Sequence, residues 1–527
     1  MPHPPLTRHA WRAALALAAS LSTACGDPKP PPTPDPPQVT LTVPEGNFAG
    51  TGLKLVVTVS GCDTVTRLVI NDRDTPLKTF PYSGGTVTLD LLTADIPFAS
   101  LGVAASMALN AEATCDDDRK NRSQPQPAYF FPVAREVADP QGGQLFAHPL
   151  VVEGSGTTAA FIGCGKPGTG LPTLSRMTAN GEVRTLVMPT SCTPETVITP
   201  RNPATGKRWV WTPGVTAFAL DSNFTITART NPTVKVSALT VMDNGDALVV
   251  DSNIIRRLTH ESGDSVGNSR EVWAFEPPQI GPLLAPPHVR VSDGRVLHAT
   301  QILTTAADRA DILVEEVDPN SGTLITRRLM RNVFTSGADV PVPAGAFSED
   351  GSTLYLGFPL AGDQGQVVAC VTTATGCTGG SARWTSPVLA APIRKLVPYG
   401  GNTRVAAVGA QRVWLLDDAS GLIRNKDKVS FDANGALHVL HVLRPRPSST
   451  ELFFLTAPAR RLGEDPKLPQ EIFAVDQGSN GDARELFRYQ VPVSMGAAVD
   501  DDGRLWLRSG GKLVQALTTS EYRRFRP

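Results

Sequence analysis

The sequence predicts an all-β protein: a small β-sandwich followed by a β-propeller of about eight four-stranded blades, with seven as the alternative. Three observations predict it. Glycine and proline are frequent, at 46 each, and short Val/Leu/Ile/Thr runs recur between turn signals. Few stretches carry the 3.6-residue periodicity of an amphipathic helix. Through the C-terminal part, a turn rich in Asp, Asn and Gly is followed again and again by a short apolar strand.

The first element is an export signal. Arg8 and Arg12 precede an apolar run, Ala13 to Leu21, of signal-peptide length and too short to span a bilayer. Leu21-Ser22-Thr23-Ala24-Cys25-Gly26 follows. This segment resembles the lipobox of bacterial lipoproteins, with small residues before the cysteine. Its departure is Ser22 where that family places Leu, which here stands one position earlier, at Leu21. Cleavage after Ala24 by ordinary signal peptidase is the alternative, because Ser22-Thr23-Ala24 also reads small-x-small. The resemblance implies lipid on Cys25. With Gly26 in place of a retention Asp, it also implies the outer membrane, periplasmic or surface-exposed; the alternative is a secreted chain.

Residues 1–24 are thus a signal peptide, and 25–38 are the lipidated cysteine with a Pro-rich linker. Gly26 to Pro37 (GDPKPPPTPDPP) can join neither helix nor sheet, because proline lacks an N–H and fixes φ. Its twelve residues make a semi-rigid polyproline II stalk reaching about 35–40 Å.

Residues 39–133 are expected to form the sandwich. Val39–Val43, Leu53–Val59, Arg67–Ile70, Thr86–Leu91 and Ala105–Ala113 read as its strands. Their number and spacing resemble immunoglobulin-like domains in architecture, although no Trp lies between Cys62 and Cys115. Gln124 to Tyr129 (QPQPAY) reads as the link to the next unit.

Residues 138–520 carry the repeat. It stands as Asp243-Asn244-Gly245-Asp246 before Ala247–Val250, and as Ser292-Asp293-Gly294-Arg295 before Val296–Ala299. It recurs as Glu349-Asp350-Gly351-Ser352 before Thr353–Leu356, and as Asp501-Asp502-Gly503-Arg504 before Leu505–Leu507. Looser copies fall at Phe161-Ile162, Trp209–Trp211, Val405–Val408 and Leu452–Leu455. Asp-Gly and Asn-Gly supply the positive φ of tight hairpin turns. The apolar run after each turn reads as an inner strand buried on both faces. Eight such strands at ~40–60-residue spacing fit eight propeller blades. Second hairpins run from Val314–Asp318 to Leu324, Val367–Cys370 to Trp384, Val413–Asp417 to Leu422, and Ile472–Asp476 to Phe487. A strand ending near Asp, a Gly turn and a following aromatic resemble the repeat of PQQ-like (quinoprotein-like) propellers. That likeness implies the fold, but no adjacent cysteine pair is present for a quinone site, and no cofactor is expected.

Seven cysteines fit an exported chain. With Cys25 lipidated, six remain, and proximity pairs them Cys62–Cys115, Cys164–Cys192 and Cys370–Cys377 among 15 possible connectivities. Arg8 and Arg12 are the only charges before Cys25, leaving 47 basic against 50 acidic residues after it. This balance excludes a strongly basic nucleic-acid surface.

No local catalytic or metal motif stands out. Asp500-Asp501-Asp502-Gly503 lacks the spaced ligands of a calcium loop and reads as a turn, and Asp116-Asp117-Asp118 as a solvated loop. On a strand, His438 and His441 would point to opposite faces. His148, His260, His288 and His298 are scattered along the chain and meet only if the fold gathers them at the propeller axis. Gly154-Ser155-Gly156 reads as a turn, and Trp209, Trp211, Trp273 and Trp384 as packing between blades.

The expected function is a lipid-anchored envelope scaffold, held to the membrane by its lipid and using the propeller to bind another envelope protein. One alternative is a propeller enzyme (hydrolase, lyase or oxidoreductase) with its site in the central funnel. The other is a carbohydrate-binding envelope protein. No catalytic, cofactor-binding or metal residue is assigned.

Overall fold

A computed structural model describes residues 35–516, less short interruptions of which the longest are 93–104, 139–149 and 459–469. Cys25 and the signal peptide lie outside the described residues. Those described are nearly all β, and no helix among them is long and apolar enough to cross a membrane.

The N-terminal unit is a sandwich of two sheets. Gln38–Thr42, Gly52–Ser60 and Thr86–Leu92 form a three-stranded sheet. Val65–Asp72, Thr75–Phe80, Ala105–Cys115, Gln126–Phe130 and two short strands form the facing one. Alternation puts Val39, Leu41, Leu55 and Val57 of the first sheet against Leu68, Ile70, Leu109 and Ala111 of the second in one core. The Cys62–Cys115 disulfide ties the sheets together at one end.

One expectation fails here. Gln126–Phe130 belongs to this sheet and is no linker, pairing with Ala105–Leu109. Pro127 is tolerated because the short parallel strand on its other side pairs only at Tyr129 and Phe130.

Eight four-stranded antiparallel sheets follow, and they are the blades. Blades 1 to 7 span Leu150–Val187, Val197–Arg229, Val236–Phe275, Leu283–Phe334, Ala344–Thr385, Lys395–Asp432 and Leu437–Val491. Blade 8 draws on both ends of the unit. Ala497–Val499, Leu505–Ser509 and Lys512–Ala516 pair in order, and Val133–Ala138 adds the outer strand against Lys512–Ala516.

All eight repeat copies fall on the second strand of their blade, one place out from the axis. That place explains their composition. A second strand has a neighbour on each side within its sheet and a blade against each face, so it is apolar throughout, as in Ala160–Gly165 and Thr353–Leu360.

The ring is closed by a core at every blade boundary. Ile162 and Leu174 meet Val210 and Phe218 between blades 1 and 2. Leu297 and Ile312 meet Leu354 and Leu356 between blades 4 and 5. The boundaries 2–3, 3–4, 5–6 and 6–7 are filled in the same way. Blade 8 packs on blade 7 through Leu505, Leu507 and Val514, and on blade 1 through Trp506 and Leu513.

Candidate functional site

The turns between first and second strands, and in blades 1 to 7 those between third and fourth strands, belong to one face of the ring. Hydrogen bonds link many of these turns to the next blade. Asn202 Nδ2 donates to the carbonyls of Met242 and Asp243, both at 3.0 Å. The Glu349 amide donates to Asn402 Oδ1 at 2.7 Å. Arg444 reaches Glu349 and the Pro398 carbonyl, each at 2.9 Å. At the ring closure, Asp501 Oδ2 accepts from the Gly154 amide at 2.9 Å, and the Asp501 amide donates to the Gly154 carbonyl at 3.2 Å.

The third-to-fourth-strand turns of blades 4 and 6 share one construction. Asp318 Oδ1 accepts from the amides of Asn320 and Ser321, and Asp417 Oδ1 from those of Ala419 and Ser420. Gly322 and Gly421 follow at φ of 71° and 70°. The previous blade sends a tryptophan onto each glycine. Trp273 N–H donates to the Pro319 carbonyl at 2.9 Å, and Trp384 N–H to that of Asp418. Trp209 does the same to Gly245 at 3.0 Å. Trp209, Trp273 and Trp384 are buried, as the packing reading expects.

Two carboxylates on this face, Glu316 and Asp246, are held as anions. Burial alone would raise the Glu316 pKa, but hydrogen bonds from Arg328, Arg295 and Arg290 outweigh it and hold the carboxyl at about 2. Asp246 follows the same pattern, with burial overcome by Arg257, Asn244 and His260. Arg208, 4% exposed, pairs with Glu153. Burial lowers its pKa to about 10, so it stays charged at neutral pH.

Two cavities stand out among the described residues. One, of about 880 Å³, sits between blades 8, 1 and 2 and carries both signs of charge: Glu153, Asp500 and Asp501 with Arg176 and Arg201. The other, of about 500 Å³, lies on the first strands of blades 3 to 6. Its walls include Leu284, Pro286, Pro287 and Phe347, and its ionisable groups are His288, Arg394 and Lys395. The first strands of blades 4 and 5 approach so closely that a Cβ on Gly345 would stand 2.4 Å from the Leu284 carbonyl oxygen. Enclosure by protein lowers the Lys395 pKa, and the Arg444 charge adds to the shift. Burial likewise lowers His288.

No known protein family matches the chain, and no curated protein does. Solved structures do align with it. BamB from Moraxella catarrhalis aligns at TM-score 0.43 and 12% identity, over 73% of this chain and 100% of its own. Sqt1 from Chaetomium thermophilum aligns at TM-score 0.43 and 10% identity, over 73% and 100%. Likenesses this distant say nothing of function, and the propeller stands on its own sheets and cores.

The sequence-derived candidates are placed as follows. Cys370–Cys377 is a disulfide within blade 5, as is Cys62–Cys115 in the sandwich. Cys164 is disulfide-bonded, while its expected partner Cys192 lies outside the described residues. Asp500 to Gly503 form a turn in which Asp500 Oδ1 accepts from the amides of Asp502 and Arg504. His438 and His441 lie on the first strand of blade 7, across a register shift. Of the scattered histidines, His288 reaches the cavity on blades 3 to 6, His260 pairs with Asp246 at 3.0 Å, and His298 is fully buried beside Glu315. His148 lies outside the described residues. Among those described, no group of three His, Cys, Asp or Glu is placed to hold a metal. Sequence reasoning missed Arg394 and Lys395, which sit at the start of a blade and carry no motif.

Proposed function

We propose that this chain is a lipid-anchored protein of the bacterial cell envelope that binds another envelope protein on the turn face of its propeller. Lipid on Cys25 holds it to the outer membrane, the Pro-rich stalk lifts it off, and an immunoglobulin-like sandwich acts as spacer. The paired Asp-x-x-Ser-Gly turns, each capped by a tryptophan from the preceding blade, support a PQQ-like propeller.

One observation carries the partner-binding reading. The turns are cross-linked between blades by hydrogen bonds, and Glu316 and Asp246 among them are held as ions with the help of arginines. Such a face is a preformed relief of fixed charge, which lowers the ordering cost of protein association. A carboxylate held near 2 serves as a brace and does not exchange protons near neutral pH. The carbohydrate reading loses three of its four tryptophans, because Trp209, Trp273 and Trp384 are buried with their indole N–H groups engaged, while Trp211 is half-buried.

The test is cross-linking in cells, followed by affinity purification of the full-length protein and of Cys25→Ala. An envelope protein captured reproducibly by the wild type, and lost or mislocalised with the variant, is the expected result. Capture of nothing at any cross-linker length would count against the scaffold reading. Equal membrane fractionation of both forms would count against the anchor.

A further inference from the structure

We propose that the cavity on blades 3 to 6 binds a small amphiphilic anion, with its carboxylate at Arg394 and Lys395 and its apolar body against Leu284, Pro286 and Phe347. The cavity is large enough: about 500 Å³ lies within the usual range for small-molecule sites. Its lining is also of the usual kind, mostly apolar with a few convergent polar groups.

Charge pairing distinguishes this cavity from several other parts of the ring. Many basic groups near the turns are matched to carboxylates, although Arg201 and Arg404 have no such partner among the described residues. Arg257 meets Asp246, Arg383 meets Asp418, Arg424 meets Asp417 and Arg444 meets Glu349, all at 2.8–3.0 Å. Arg290, Arg295 and Arg328 converge on Glu316. Among the described residues, Arg394 and Lys395 have no such ion pair and no carboxylate lines their cavity. Both residues are exposed and both line the cavity.

Lys395 feels the charge of Arg444, and the enclosure weakens its hydration. Such an arrangement stores an electrostatic preference for an anion. The walls fix the other half of the ligand. Leu284, Phe347 and Leu396 are each under 9% exposed, and they present an apolar surface. His288 stacks on Phe347 with ring centroids 5.8 Å apart. Its Nε2 is buried without a hydrogen-bond partner among the described residues, so the ring contributes its stacked face rather than a polar contact. The inference does not depend on the partner-binding reading: the turn face can bind a protein whether or not the cavity is filled.

Titration calorimetry on the folded, full-length protein tests it with octanoate, octylamine, octanol and inorganic phosphate. Octanoate is expected to bind at least tenfold more tightly than octylamine or octanol, and phosphate alone to bind weakly for want of an apolar body. The Arg394→Gln/Lys395→Gln double variant should weaken octanoate at least tenfold. Arg394→Lys/Lys395→Arg, which keeps both charges, should restore most of the affinity. Lys235→Gln, at an exposed lysine just before blade 3, should change nothing. Equal affinity for octanoate and octylamine, an unaffected double variant, or no octanoate binding at millimolar concentration would each overturn the proposal. Circular dichroism of the variants guards against misfolding, and the charge-retaining variant keeps the test decisive if the glutamine variant unfolds.

Discussion

Glu316 shows how a single side chain holds a blade. It lies on the third strand of blade 4, is 2% exposed and receives three arginines. Removing a carboxylate from water is costly, and the arginine hydrogen bonds reverse that cost in the folded state. Its folded pKa of about 2 lies below the ordinary 4.5. The sign follows: the unfolded chain binds this proton more tightly, so the stabilisation is complete above about pH 4.5 and is lost as pH falls toward 2. The difference corresponds to roughly 3 kcal/mol. Glu316→Gln should therefore lower the melting temperature clearly at pH 7, with the gap to wild type shrinking near pH 2.5. Thermal melts of both proteins across that range check it, and a gap independent of pH would refute the account. Nothing near Glu316 in sequence announces this role. Arg290 and Arg295 lie in a turn and Arg328 in the outer strand, and only strand pairing assembles them.

Elements differ in how plainly the sequence displays them, and burial accounts for the difference. The eight second strands are legible because they are apolar on both faces and many follow Asp-Gly or Asn-Gly. The first strands are not. Ala344–Phe347 (AGAF) and Leu283–Val289 (LLAPPHV) line the axis, where small residues and prolines replace any alternation. Arg394, Lys395 and His288 belong to that layer, which is why the cavity on blades 3 to 6 was illegible. QPQPAY misled for a related reason: proline reads as a breaker, yet an edge position accepts it. The third-to-fourth-strand turns were readable from Asp and Gly, but their contact with the preceding blade's tryptophan was not. A Cβ on Gly322 would stand 2.7 Å from Trp273, and one on Gly421 2.4 Å from Trp384. Gly322→Ala and Gly421→Ala should each cost about 2–4 kcal/mol, combining left-handed backbone strain with overpacking. Gly401 has a similar φ of 63° but open space around it, so Gly401→Ala should cost only about 1 kcal/mol. Chemical denaturation of the three variants checks the ranking, and equal losses would show that the tryptophan contact contributes nothing.

The whole molecule depends on how blade 8 is made. Dividing the repeat region by a blade length gives the number eight, but not the closure. Val133–Ala138 bears no repeat signal and lies more than 370 residues before the strand it pairs with, Lys512–Ala516. Without it, blade 8 would end in an unpaired third strand. A row of blades packed only on sequence neighbours would fray from its ends. This ring has no end, because blade 8 is packed on blade 7 through Val514 and on blade 1 through Leu513. Hydrogen exchange should therefore show Val133–Ala138 and Lys512–Ala516 opening together. Their opening free energy should be close to that of Ala247–Asp251 in blade 3. Leu513→Asp places a charge in the fully buried boundary with blade 1, and it should lower protection in both closing strands at once. If Val133–Ala138 instead exchanges orders of magnitude faster than Lys512–Ala516, the pairing of the two ends is too weak to close the ring. The cavity between blades 8, 1 and 2 would then be the floor of an open cleft, with blades 1 and 8 free to part.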